Sequence, residues 1–204
     1  ITLEAAADHL NSTHYGLTHI KESILDYLAG YIASNKKTTK VICFAGAPGV
    51  GKTTIAESIA GALGRKFAKI SFTPSTNLTS TSRGGVEPGQ LAHALIDGGS
   101  SNPVVLLDEL EKAHPSMQIE LLTLLDPAHN KSIKDEYLGF EMDCSEIVFF
   151  ASVNDVELLP AALRDRMQIV EIDPYNREDR IAIAQTKLIP DITQLMNSTP
   201  EAQE

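Results

Sequence analysis

Residues 44–54 read FAGAPGVGKTT, and the eight from Gly46 to Thr53 fit the spacing G-x-x-x-x-G-K-[ST]. This stretch constrains the fold more than any other, because it works only where a strand ends, a loop curls and a helix begins. VICFA, from Val41, supplies a short run of strand formers. Ile55, Ile59 and Leu63 then recur every four residues, which predicts a helix from Lys52 to Leu63 closed by Gly64. Gly46, Gly49 and Gly51 let the backbone turn several N–H groups inward toward phosphate oxygens, with Ala47, Pro48 and Val50 between them. The helix start, from Lys52 to Thr54, presents its positive dipole end to the same charges. Lys52 adds a mobile cation, and the Thr53 hydroxyl suits Mg²⁺. The bland alternative, a glycine-rich turn matching by chance, is disfavoured by the strand–loop–helix context.

The same alternation continues along the chain. Thr18 to Ala33 places Ile20, Ile24, Leu25, Leu28, Tyr31 and Ile32 on one helical face, with Thr18 as a cap. FAKISF (Phe67 to Phe72), PVVLLD (Pro103 to Asp108), IVFFAS (Ile147 to Ser152) and Gln168 to Ile172 read as further strands. Between and after them, helices are expected from Pro88 to Asp97, Met117 to Leu125, Pro160 to Met167 and Asn176 to Leu188. Lys131 to Asp143 reads as polar and irregular, and Thr193 to Glu204 as a frayed tail. Strands alternating with helices imply an α/β fold with a five-stranded parallel sheet covered on both faces.

Two acids end the apolar strand VVLLDE, at the carboxyl edge where open α/β sheets bind ligands. Asp108 there would hold Mg²⁺ through water, and Glu109 would polarise an attacking water. Alone, an Asp-Glu pair is a solvated turn; beside a phosphate loop it reads as hydrolytic chemistry. Asn154, just past another strand, either orients the lytic water or is an ordinary turn amide. In AALRDRM, Arg164 and Arg166 stand two apart and on a helix would point away from each other. One of them would act as a guanidinium supplied to a neighbouring subunit; a surface salt bridge is the alternative.

A net charge of −10 argues against a broad DNA-binding face, so nucleic acid is not predicted as a partner. Cys43 and Cys144 lie far apart and read as buried thiols in a reducing compartment. No run of about 18 apolar residues is present, so no membrane span is expected. The first residue is Ile rather than Met, and the chain is expected to be a segment of something longer.

Together these residues resemble the AAA+ ATPase fold and, more narrowly, the ATPase module of the Lon family of ATP-dependent proteases. The resemblance is carried by HYGL (His14 to Leu17), ICFAGAPGVGKT (Ile42 to Thr53) and ALGRKF (Ala62 to Phe67). LLDELEK (Leu106 to Lys112), LTLLDPAHN (Leu122 to Asn130) and PAALRDRM (Pro160 to Met167) complete it, and it covers about residues 9 to 190. It implies that Lys52 and Thr53 are Walker A residues, Asp108 and Glu109 Walker B, Asn154 sensor 1 and Arg166 the arginine finger. It implies also that His14, Tyr15 and Gly16 line the adenine pocket and that Tyr175 lies at a hinge. Residues 1–172 would form the large nucleotide-binding subdomain and 173–204 the beginning of a small helical one, cut before its sensor 2 arginine.

The implied cofactors are ATP and Mg²⁺. The implied assembly is a ring, usually hexameric, that pulls unfolded or damaged protein substrates toward a Ser–Lys peptidase domain on the parent chain. The implied compartment is the cytoplasm, with an organelle matrix as the other. The substrate-gripping loop of such motors is here SRGGVEPG (Ser82 to Gly89), which has no aromatic residue; Val86 stands in its place. That departure favours a second reading, a remodelling or loader ATPase without proteolysis; against a third, a structural nucleotide-binding scaffold, stand Glu109, Asn154 and Arg166.

Overall fold

The computed structural model describes residues 3–34, 40–80, 87–175, 177–185, 189–190 and 192–193, Arg177 by its backbone only. The expected substrate-gripping loop falls largely on 81–86, and most of the expected tail on 194–204; both lie outside the described residues.

Five strands form one parallel sheet: β1 (Val41–Ala45), β2 (Phe67–Ser71), β3 (Val104–Asp108), β6 (Val148–Val153) and β7 (Met167–Glu171). Their spatial order is β2-β3-β6-β1-β7. The three central strands are rich in Val, Ile, Leu and Phe because both faces are covered. Ile42, Phe44, Leu106 and Phe150 point to one face, where α1 (Leu3–Thr13), α2 (Thr18–Ala33) and α3 (Lys52–Ala62) pack. Phe44 and Phe150 stack there with centroids 5.9 Å apart, and Tyr27 of α2 tilts against Phe150 at 5.8 Å. Cys43, Val105, Leu107 and Ala151 point to the other face, toward α4 (Gln90–Gly98), α5 (Gln118–Leu124) and α6 (Ala161–Arg164). Each fully buried Leu, Ile or Phe contributes about 1.5–3 kcal/mol. Burial also pushes the thiols of Cys43 and Cys144 up to about 12, so both are inert at neutral pH.

Several local expectations are corrected. Thr18 is the first helical residue rather than a cap: Leu17 holds the cap position in a left-handed conformation (φ 54°), without a side-chain cap bond. Helix α4 begins after Gly89, so Pro88 precedes the cap instead of occupying the first turn. Helix α1 was not foreseen, since its apolar stripe is short, Ala6 and Leu10 being its buried residues. Residues 131–143 are not irregular. They hold an antiparallel hairpin of β4 (Ile133–Asp135) and β5 (Phe140–Met142). Past the sheet, α7 (Arg177–Ile183) follows Tyr175.

The hairpin is tied to the main body by Asp135, which is fully buried. Its carboxylate accepts from the backbone N–H groups of Ser80 (2.9 Å), Gly89 (3.0 Å), Tyr137 (3.0 Å) and Leu138 (3.2 Å), and from the Ser80 hydroxyl. Burial by itself would raise its pKa; the hydrogen bonds outweigh that and hold it down to about 2.

Candidate active site

Strand order decides what meets at the carboxyl edge of the sheet. Phe44 pairs with Ser152 and Leu107 with Ala151, so the residues after β1, β3 and β6 come level with one another. Gly46, Asp108–Glu109 and Asn154 therefore share one edge although up to 108 residues separate them.

Gly46 turns out of β1 with its N–H on the Val153 carbonyl (3.2 Å). A Cβ at this glycine would lie 2.5 Å from the Ile172 carbonyl oxygen, so no larger residue fits. Gly51 caps α3 at φ 99°, a conformation that costs a side chain-bearing residue strain. The backbone N–H groups of Gly49, Val50, Gly51 and Lys52 find no acceptor among the described residues. Four free donors at a helix start are an anion seat, and the donor set fits phosphate oxygens. Val50 is buried under the loop, Ala47 and Pro48 are exposed on it, and Thr53 is half-buried at the helix start.

Lys52 is 7% exposed. Its Nζ donates to the Gly46 and Ala47 carbonyls and to Asn154 Oδ1 (2.9 Å). Burial pushes the ammonium below its ordinary pKa, and the charges of Asp108, Glu111 and Glu109 push it back up. Asp108 accepts from the Ser152 hydroxyl, and its second oxygen faces Lys69 Nζ at 3.7 Å. The Asp108 carboxylate and the Thr53 hydroxyl are hard oxygen donors of the type Mg²⁺ takes.

Glu109 leaves β3 in a left-handed conformation (φ 56°), its N–H donated to Ser152 Oγ (3.1 Å). One carboxylate oxygen takes Lys112 Nζ at 2.7 Å, and the other takes Asn154 Nδ2 at 3.4 Å. The Lys112 bond is the main reason its pKa lies below the usual carboxylate range, so Glu109 is ionised at neutral pH. An ionised acid can accept a proton from water, the requirement for the role assigned from sequence. Asn154 joins the cation and the acid through a single amide.

The other expected residues flank this edge. His14 Nε2 lies 3.3 Å from Thr54 Oγ1, which itself bonds the Gly51 carbonyl at 2.8 Å. His14, Tyr15, Thr54, Ser58 and Tyr175 line a cleft of about 710 Å³ beside α3. Gly16 lines a neighbouring pocket of about 240 Å³, and Tyr175 borders both. Burial, aided by Asp179, raises the Tyr175 phenol above its ordinary pKa, so it stays protonated.

The two arginines are elsewhere. Arg164 ends α6 and pairs with Glu157 at 3.0 Å. Arg166 is past the helix rather than on it, and pairs with Asp126 at 3.6 Å. Val41 pairs with Met167, and the Val41 N–H bonds the Arg166 carbonyl, so Arg166 lies at the amino edge of the sheet. A five-residue strand is roughly 17 Å long. Arg166 thus cannot serve the phosphate loop of its own chain.

Three contributors escaped sequence reading. Ser152 couples Asp108 to the Glu109 backbone, Lys112 grips Glu109, and Lys69 faces Asp108. Only Lys112 carried a signal, being a cation near an acidic strand end; Lys69 reaches Asp108 from another strand, and a serine inside an apolar strand announces nothing.

The family described as "ATPase family associated with various cellular activities (AAA)" matches residues 42–175. The peroxisomal Lon protease homolog 2 of Arabidopsis thaliana is 41% identical over 200 residues, 93% of this chain and 22% of that protein. Lon protease 4 of Sorangium cellulosum (strain So ce56) is 39% identical over 198 residues, 92% of this chain and 25% of that protein. The Lon protease of Mycolicibacterium smegmatis is 38% identical over 207 residues, 92% of this chain and 26% of that protein. The chain thus spans about a quarter of the length of the curated relatives it matches. The AAA model covers well over half of the chain, which therefore belongs to the AAA family of ATPases and is similar over 92–93% of its length to Lon proteases.

Proposed function

We propose that the module binds ATP with Mg²⁺ and hydrolyses it to drive unfolding and translocation of damaged or unfolded protein toward a peptidase domain on the parent chain. The free N–H groups of Gly49 to Lys52, facing the Lys52–Asn154–Glu109 chain of hydrogen bonds, carry this reading. In it, Gly46 to Thr54 hold the phosphates, and Thr53 and Asp108 would hold Mg²⁺, which would supply positive charge against the phosphates. Glu109 takes the proton of the attacking water and Asn154 orients it. His14, Tyr15, Gly16 and Tyr175 receive the base. Residues 1–172 act as the large subdomain and 173–204 open the small one.

Arg166 sits at the opposite edge of the sheet from the loop, which supports donation to a neighbour's nucleotide and hence a ring, on our reading a hexamer. Among the described residues no helix is long and apolar enough to cross a membrane. On the resemblance to Lon proteases our reading is the cytoplasm, with an organelle matrix as the other compartment. The loop from Ser82 to Gly89 lacks an aromatic, which favours remodelling without proteolysis as the second reading. A Ser–Lys peptidase signature in the parent reading frame decides between them.

A site completed by a neighbour makes a direct prediction. Specific ATPase activity should rise with protein concentration, read by phosphate release across a dilution series; a flat response defeats the shared site.

A further inference from the structure

We infer that Glu111 is a positioning residue for ATP hydrolysis, acting through Asn154. The inference rests on the reading of Asn154 as the residue that orients the attacking water.

The chain around Glu111 is built to return it to the sheet. The left-handed Glu109 breaks β3, and a 3-10 turn over Leu110–Lys112 follows, closed by Lys112 N–H to Glu109 O (2.9 Å) and Ala113 N–H to Leu110 O (3.1 Å). Leu110, 1% exposed, anchors that turn in the core. The reversal carries Glu111 back to the end of β6, where its Oε1 accepts the Asn154 N–H at 3.0 Å. Strand β6 ends at Val153, so the Asn154 N–H lies beyond the strand and takes this carboxylate as its acceptor. With its backbone held, Asn154 presents both ends of its amide to reacting groups, Oδ1 to Lys52 (2.9 Å) and Nδ2 to Glu109 (3.4 Å).

The second oxygen, Glu111 Oε2, is buried and has no hydrogen-bond donor among the described residues. Lys112, the nearest cation in sequence, is committed to Glu109 instead. Among the described residues Glu111 is therefore not spent on a salt bridge. Its one recorded hydrogen bond is the bond that sets Asn154, which separates it from Asp135, whose oxygens are fully engaged in holding the hairpin.

The test is a double-mutant cycle on the purified protein, with single-turnover ATP hydrolysis, equilibrium binding of a fluorescent ATP analogue and thermal midpoint measured on each variant. Asn154→Ala should slow hydrolysis. Glu111→Ala should slow it by about tenfold or more while nucleotide affinity stays within about twofold. Glu111→Gln keeps the acceptor oxygen and should recover the rate to within about threefold of the parent. The double variant should be no slower than Asn154→Ala alone, the sign of two residues acting as one unit. If Glu111→Ala does not fold, Glu111→Met, of similar volume but without an acceptor, replaces it in the cycle. A full rate in the Ala or Met variant, a Gln variant as slow as they are, or additive losses in the cycle would overturn the inference. A full rate for Asn154→Ala would instead remove the reading of the site on which it depends.

Discussion

A single buried acid in the hairpin and a group of acids at the sheet edge are treated oppositely by this fold. Around Asp135, one buried carboxylate takes five hydrogen bonds, four of them from backbone N–H groups, and asks for nothing more. At the carboxyl edge of the main sheet, Asp108, Glu109 and Glu111 stand near a buried lysine, with one carboxylate oxygen and four loop N–H groups unpartnered among the described residues. A cluster whose capacity is filled by its own chain holds structure together. A cluster with unmet donors and acceptors is poised for a ligand. Burial alone does not separate the two; the count of satisfied groups does.

The sharpest way to break the comparison is Glu109→Gln. Turnover should fall by roughly 10²–10⁴-fold while ATP binding is retained, because the amide cannot take a proton from water. Retained hydrolysis in a phosphate-release assay would remove Glu109 from the chemistry.

Asp135→Ala should act on the other side of the divide. It strands several buried N–H groups and should cost roughly 3 kcal/mol or more of folding stability, read by denaturant melts. Its pH signature has a definite sign. The folded-state pKa lies at about 2, below the ordinary 3.8, so its contribution is complete above about 3.8 and is lost as pH falls toward 2. Asp135→Asn should flatten that acid limb; an unchanged limb would show that the carboxylate is not held as described.

The smallest of the three effects is expected for Lys52→Ala. Charge-assisted contacts are worth about 1.5–3 kcal/mol, so nucleotide affinity should fall by roughly 10–100-fold. Because Lys52 is buried among acids, the variant should also cost some stability in the absence of nucleotide. Undiminished binding by titration calorimetry would defeat the assignment of the loop.

Much of the parallel sheet was legible before any coordinates. Val104–Asp108 and Val148–Val153 are continuous apolar runs, and a strand buried on both faces leaves that mark. The hairpin of β4 and β5 was not legible. Each of its strands has only three residues, too short for alternation to register. Helix α1 was missed for a related reason, because its stripe is built from alanine and a single buried leucine. In the site, residues bound to a local motif were found, while Ser152 and the Arg166–Asp126 pair depend on neighbours far along the chain.

By itself the sequence determined the strand–loop–helix unit around Gly46 to Thr53 and the acids at the end of Val104–Asp108. Both follow from local propensity, glycine geometry and hydrophobic patterning. Only the tertiary structure decided that β6 lies between β1 and β3, and so that Asn154 stands between Lys52 and Glu109 with Glu111 behind it. Alternating strands and helices are compatible with several strand orders. The choice among them is made by how the two helical layers cover the sheet, a long-range packing term that no short stretch of residues encodes.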